Sequence, residues 1–172
     1  MDEAPAVSAA GQKSSRMPRE PRTRRRASVA PDFRFDRTEL ATLFSHIFLG
    51  VRDFERALAF YRALMPVLGI QERFCDRGRP WAGWQSSPGP RPLLLLGTPF
   101  DGRAHEAGNG QMVAFLAPSR SVVDQAHATA LAHGGSCEGA PGLRTDYHPD
   151  YYGCYFRDTE GNKICIVCHG AE

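Results

Sequence analysis

The chain has 172 residues and a formal net charge of +2, a length that suits one compact domain or two small fused modules. It shows neither an apolar run long enough to span a membrane nor an export signal, so we expect a cytoplasmic protein with no membrane partner. Residues 1–38 are rich in Ala, Ser, Pro and Arg. Such a segment buries too little apolar surface to offset its ordering entropy, which predicts a disordered basic tail. A basic tail contacts phosphates without sequence preference, and no specific nucleic-acid partner is predicted.

The folded part is predicted at residues 39–172. Its first half is predicted to form a strand, a helix and three further strands. The opening strand covers Phe44–Val51, and Asp53 then caps a helix that runs to about Leu64. Pro66 is expected to stop this helix and Gly69 to allow a turn. The buried stripe of the helix is predicted to contain Ala57, Phe60, Tyr61, Leu64 and Met65. The three strands that follow are predicted at Ile70–Cys75, Trp81–Gln85 and Leu93–Gly97.

The second half repeats this order. Its strand is predicted at Gln111–Leu116, its N-cap at Ser119 and its helix at Arg120–His133. The buried stripe of this helix is predicted to contain Val123, Ala126, His127, Ala130 and Leu131. A loop at Glu138–Asp150 then leads into a hairpin, whose strands are Tyr152–Arg157 and Lys163–Cys168. A half with one helix leaves one sheet face bare, so we expect two copies to share a sheet.

Side chains of the last predicted strand alternate between two faces. Ile164, Ile166 and Cys168 form an apolar set that suits a core, so the opposite face, with Cys165 and His169, is the candidate working face. Residues 165–169 also match C-x-x-C-H, the haem attachment signature. Cysteines three apart in a strand face opposite sides and cannot reach one haem edge, so we predict no haem.

The motifs H-I-F-L-G-V-x-D, V-A-F and D-x-x-G-N, in this order, resemble the vicinal oxygen chelate (VOC) superfamily. That superfamily includes glyoxalase I, bleomycin and fosfomycin resistance proteins and extradiol dioxygenases. The resemblance covers about Leu43 to His169. It implies an α+β fold of two tandem βαβββ modules, at about 43–98 and 109–169, which form a curved mixed sheet around a cavity. It also implies a homodimer, and exposed sheet edges favour the same assembly.

The resemblance also implies a metal site, because metal-dependent members take ligands from the first and last strands of each module. The matching positions are His46, Gln111 and Cys165, and nothing within Leu93–Leu96 is polar. Relatives usually carry Glu where this chain has Cys165. Hard divalent ions require carboxylate oxygens, whereas a thiolate suits zinc. Two alternatives stay open: the site binds a divalent metal (Zn, Ni, Mn or Fe), or it binds no metal. The missing carboxylate favours the second alternative.

The segment 142–152 contains more side chains suited to catalysis or ligand binding than any other segment of the chain. Arg144 suits a carboxylate or phosphate, and Tyr147 and Tyr152 supply stacking faces with hydroxyl groups. His148 suits proton transfer near neutral pH. The alternative is a surface loop packed by its own aromatic rings, in which Asp146 pairs with Arg144.

Two functions therefore remain open for a small molecule in the cavity between the modules. The first is a glyoxalase-like lyase or isomerase, or a dioxygenase, with His148 or His169 as the base. The second is a metal-free protein that binds an antibiotic or metabolite, like the bleomycin resistance proteins. Arg144, Tyr147 and Tyr152 would then recognise the ligand.

Overall fold

The computed structural model describes residues 44–86 and 91–172, and the tail predicted at 1–38 lies outside the described residues. The first module consists of β1 (His46–Gly50), α1 (Phe54–Val67), β2 (Ile70–Asp76), β3 (Trp81–Ser86) and β4 (Leu93–Gly97). The second consists of β5 (Val113–Leu116), α2 (Arg120–Ala132), β6 (Ser136–Leu143), β7 (Tyr152–Arg157) and β8 (Lys163–Cys168). Within the described part, neither helix is long and apolar enough to cross a membrane.

Each module forms its own four-stranded mixed sheet. Sheet 1 has the order β1-β4-β3-β2, and sheet 2 repeats it as β5-β8-β7-β6. In both sheets the first and last strands of the module pair in parallel, and the other pairs are antiparallel. The predicted repeat of two βαβββ modules is therefore confirmed. The described strands form two separate sheets, one in each module, instead of the single shared sheet that we expected.

Helix α1 forms where the sequence predicts it. The Asp53 side chain caps it by accepting a hydrogen bond of 3.0 Å from the backbone N–H of Arg56. The predicted stripe of five apolar residues is buried, as expected. The prediction that Pro66 stops the helix is wrong: the helix extends past Leu64 to Val67, with Pro66 inside its last turn. Gly69 then adopts a φ of 71°, a conformation that favours glycine.

Helix α2 begins at its predicted cap, where the Ser119 hydroxyl accepts from the Val122 N–H at 3.4 Å. The predicted stripe is correct except at Leu131, which is 39% exposed. Leu131 lies at the edge of the apolar stripe, outside the part of the helix surface that packs on sheet 2.

Strand β6 was predicted as part of a loop, and that prediction is wrong. The segment contains Gly139, Pro141 and Gly142, which normally disfavour strands. It is an edge strand with register shifts on both sides of Gly139, and an edge tolerates proline because one backbone side needs no partner. The segment therefore pairs with β7 despite its composition.

The two helices pack on each other and on one face of each sheet, which we call the inner face. A single apolar cluster fills this space across both modules. Its largest fully buried side chains are Trp84, Tyr61, Phe60 and Phe156. Neither of the two described helices packs on the opposite faces of the sheets, which we call the outer faces.

The D-x-x-G-N turn between β7 and β8 is buried and joins the two modules. The Asp158 carboxylate accepts from the Tyr61 hydroxyl of α1 at 2.8 Å, and from the backbone N–H groups of Glu160 and Asn162. The Asn162 amide also donates to Asp158 and, at 3.2 Å, to the carbonyl of Gly50. The motif therefore has a structural role here.

Glu160 in the same turn reaches the start of α1. Its carboxylate accepts from the backbone N–H of Arg52 at 2.7 Å and from the Arg56 guanidinium at 2.7 Å, while its own side chain is fully buried. A carboxylate at a helix start also interacts favourably with the helix dipole. One buried anion thus fixes the second module against the first helix.

Candidate functional site

The outer face of sheet 2 brings together most residues that the sequence singled out. Tyr151 lies at the centre, with its hydroxyl 3.6 Å from the sulfur of Cys165. Its ring packs against Tyr147 at 4.8 Å, and edge-on against both His148 and His169. We call this group the outer-face cluster, and it consists of Arg144, Tyr147, His148, Tyr151, Tyr155, Cys165 and His169.

The two histidines of the cluster form a directed hydrogen-bond relay. The backbone N–H of Asp150 donates to His148 Nδ1 at 3.2 Å, and His148 Nε2 lies 2.7 Å from His169 Nδ1. Because a backbone N–H can only donate, the proton of neutral His148 resides on Nε2 and is donated to His169. The remaining ring proton of His169 is therefore on Nε2, and His169 presents a hydrogen-bond donor.

Arg144 is half-buried and has no carboxylate partner among the ion pairs of the described residues. Its guanidinium donates to the carbonyls of Ala140 and Leu143, and its centre lies 5.7 Å from the ring centroid of Tyr155. The predicted alternative, a pair with Asp146, is not formed. A guanidinium has five N–H donors, so this arginine retains donors for a ligand.

The thiol of Cys165 is fully buried on the outer face of sheet 2 beneath Tyr151. Burial raises the pKa of Cys165 above its ordinary value of 9.0, although hydrogen bonds from Tyr151 and Tyr155 act in the opposite direction. Burial likewise raises the pKa of both tyrosines. All three groups are therefore neutral at physiological pH.

The three candidate metal ligands are an imidazole, an amide and a thiol, and none of them supplies the carboxylate oxygen that hard divalent ions require. His46 is exposed and contacts Ser45, whereas Gln111 precedes β5 and packs against Gly108. Within residues 44–86 and 91–172, no group of three or more His, Cys, Asp or Glu side chains is placed to hold a metal ion.

Tyr152 is not part of the cluster, although the sequence grouped it with Arg144 and Tyr147. Its hydroxyl donates to Asp124 of α2 at 2.8 Å, which places it on the inner face. Tyr155 is opposite Cys165 in the β7–β8 register and shares its outer face. Strand parity could have identified Tyr155 and excluded Tyr152 from the sequence alone.

The two cysteines of C-x-x-C-H lie on opposite faces, as predicted. Cys168 belongs to the apolar cluster under the helices, whereas Cys165 lies on the outer face. Their side chains therefore cannot act together on one group.

Thiol labelling should test whether Tyr151 shields the Cys165 thiol from solvent. Cys137 is exposed and Cys75 is half-buried, whereas Cys154, Cys165 and Cys168 are buried. We expect Ellman's reagent to modify Cys137 first, Cys75 more slowly, and the buried three only after unfolding. In a Cys137→Ser background, Tyr151→Ala should expose Cys165 and speed its labelling, as followed by peptide mass spectrometry. Rapid labelling of Cys165 before that change would contradict the described cover.

Known proteins share this architecture. A family model described as "Glyoxalase/Bleomycin resistance protein/Dioxygenase superfamily" matches residues 43–166. A glyoxalase/bleomycin resistance protein from Albidiferax ferrireducens T118 is 35% identical, with a TM-score of 0.67 over 74% of this chain and 99% of that one. None of the curated proteins matches the sequence.

More distant structures share the fold alone. A glyoxalase-related enzyme from Fulvimarina pelagi is 18% identical, with a TM-score of 0.56 over 75% of this chain and 88% of that one. A lactoylglutathione lyase from Agrobacterium tumefaciens is 22% identical, with a TM-score of 0.51 over 74% of this chain and 93% of that one. With its two βαβββ modules and a family match over most of its length, the chain belongs to the glyoxalase/bleomycin resistance protein/dioxygenase superfamily.

Proposed function

We propose that this protein binds a small planar anion at the outer-face cluster and does so without a resident metal ion. The observation that carries the proposal is Arg144, a half-buried guanidinium for which the described part of the chain provides no carboxylate partner. Removing a charged group from water is unfavourable unless it is paired. A ligand carboxylate is the group that the planar fork of arginine pairs with best, through two parallel hydrogen bonds.

The neighbouring side chains favour a planar ligand. Tyr147 is 68% exposed, although it packs against Tyr151 through one face. Tyrosine rings bind flat molecules through offset or edge-on contacts, and their hydroxyls supply hydrogen bonds. His169 adds an Nε2–H donor at the same cluster, by the tautomer argument above. Every ligand-facing group is therefore a cation, a neutral donor or an aromatic surface.

Binding is favoured over a metal-dependent lyase, isomerase or dioxygenase because of the donor chemistry. Cys165 is a buried neutral thiol, and His46 and Gln111 contact other parts of the chain. A second candidate function is proton transfer to the bound ligand. The His148–His169 relay favours it, because the pair, when it carries one additional proton, contains an imidazolium that can act as a general acid.

The test uses benzoate, a planar carboxylate, and calorimetry on protein stripped with EDTA. Arg144→Gln should weaken benzoate binding by roughly 10-fold to 100-fold, since it removes a charge-assisted pair. Arg144→Lys should lose part of this affinity, because lysine keeps the charge without the fork.

Two tyrosine variants give a matched control. Tyr147→Phe should weaken binding through loss of an exposed hydroxyl in the cluster, whereas Tyr152→Phe alters a hydroxyl bonded to Asp124 and should not. The proposal fails if benzoate does not bind, or if Arg144→Gln binds it equally well. Binding that appears only after adding Zn or Ni would instead support the metal-dependent alternative.

A further inference from the structure

A thiol and an imidazole that the outer-face cluster does not use lie together where α2 packs beside the edge strand β6. Cys137 of β6 is exposed, and its sulfur lies 3.3 Å from Nε2 of His127 on α2. By contrast, Cys165 is contacted by a tyrosine hydroxyl and Cys154 by a backbone carbonyl. Within the described part of the chain, Cys137 is the one thiol that has an imidazole within hydrogen-bond reach.

The fold holds both members of this pair in place. Cys137 is opposite Phe156 in the β6–β7 register, so the two side chains share one face of sheet 2. The imidazole of His127 packs edge-on against the same Phe156 ring, with the ring centroids 6.4 Å apart. Phe156 is fully buried, and His127 is only 9% exposed. The imidazole therefore loses little conformational freedom when it acts on the sulfur.

The hydrogen bond of the pair runs from the thiol to the imidazole. Burial lowers the pKa of His127 below its ordinary value of 6.5, so the ring is neutral at pH 7. A neutral imidazole nitrogen is a strong acceptor, whereas a sulfur atom is a weak one. The S–H of Cys137 therefore donates to Nε2, and the ring proton of His127 resides on Nδ1. This is the arrangement of a nucleophile with its general base.

A carboxylate on the same helix favours transfer of the thiol proton. Asp124 precedes His127 by three positions on α2, and side chains at this spacing are neighbours on the helix surface. The charge of Asp124 favours the protonated imidazole and so acts against the effect of burial on the pKa of His127. When the thiol proton reaches Nε2, the imidazolium that forms therefore has an anion beside it.

We propose that Cys137 is a covalent modification site for small α,β-unsaturated carbonyl compounds, with His127 as its base. Thiols add readily to the carbon–carbon double bond of such electrophiles. The sulfur bonds to the β-carbon while the double bond opens, and Nε2 takes the thiol proton. That proton then passes to the α-carbon, so no group leaves and no oxidant is required. The site shares no residue with the outer-face cluster and does not depend on anion binding there.

The test measures the rate at which acrylamide, an uncharged compound of this class, modifies each thiol of the full chain at pH 7. Peptide mass spectrometry separates the thiols, and the half-buried Cys75 is the internal reference. His127→Gln should slow Cys137 about tenfold, because glutamine accepts a hydrogen bond but cannot take the proton. His127→Phe should slow it equally. Asp124→Asn, which keeps an acceptor for the Tyr152 hydroxyl, should slow it about twofold.

The buried thiols of Cys154 and Cys168 report on the fold of each variant, since they stay unmodified in a folded chain. An unchanged Cys137 rate in both His127 variants would overturn the proposal. So would a loss confined to His127→Phe, because the imidazole would then only hold the thiol in place. If the His127 variants expose the buried thiols, Asp124→Asn decides, because Asp124 is on the exposed side of α2. An unchanged rate in that variant would then overturn the proposal.

Discussion

Asp158→Ala should lower the free energy of unfolding by about 3–5 kcal/mol, because the carboxylate is a shared acceptor inside the fold. It accepts from the Tyr61 hydroxyl, from two backbone N–H groups and from the Asn162 amide, and the residue is only 4% exposed. Alanine leaves all these donors unpaired. Urea denaturation, monitored by circular dichroism, measures the loss.

Two milder variants calibrate this result. Tyr61→Phe removes one hydrogen bond and keeps the ring in the core, so it should lose only about 1 kcal/mol. Asp158→Asn keeps the shape but not the charge, and it should fall between the other two. A loss of about 1 kcal/mol or less in Asp158→Ala is roughly the value of a single hydrogen bond. Such a small loss in the free energy of unfolding would show that the turn does not hold the two modules together.

Glu160→Gln should cost about 2 kcal/mol at pH 7, less than a fully buried ion pair, because the arginine partners are about half exposed. Burial alone would raise the pKa of Glu160, but hydrogen bonds from Arg56 and from the N–H groups of Arg52 and Asp53 outweigh it. The pKa is therefore lowered from its ordinary value of 4.5.

The sign of the pH dependence follows from this lowered pKa. The unfolded carboxyl binds a proton first, so the stability from Glu160 is fully present above pH 4.5 and is lost as the pH falls through the lowered value. The stabilities of the wild type and Glu160→Gln should accordingly converge as the pH falls below 4.5 and through the lowered pKa of Glu160.

Glu55→Gln provides the matched control for Glu160. Glu55 also pairs with an arginine near the start of α1, but both partners of the Glu55–Arg77 pair are exposed. Its replacement should leave the unfolding midpoint unchanged within error. Equal losses in the Glu55 and Glu160 variants would contradict a special role for the buried carboxylate.

The elements that the sequence predicted well are those whose pattern is local. Helix α1 shows a cap and an apolar stripe within its own residues, and β8 is a short run of Ile, Val and Cys bounded by a turn. Strand β6 depends on something not local: its glycines and proline are tolerated because β7 pairs with only one side of an edge. The composition of the segment does not show that it pairs with β7 on one side only.

The site was predicted in part for the same reason. Arg144, Tyr147 and His148 are close in sequence, and the fold brings His169 and Cys165 to them through the β7–β8 pairing. The sequence predicts a cavity between the modules but not the walls of the cavity beside Gly50, such as Trp81 and His105, because these depend on the path of the segment 98–111. A connecting segment without periodicity gives no sequence signal for where it lies.

The joint between Glu160 and the start of α1 has a consequence for synthesis. The hydrogen bond from the Arg52 N–H spans 108 positions of sequence. A ribosome makes the first helix long before it makes the carboxylate that completes that helix's N-terminus. We therefore expect the first module to reach its final state only after the β7–β8 hairpin has emerged, with the two halves folding as one cooperative unit.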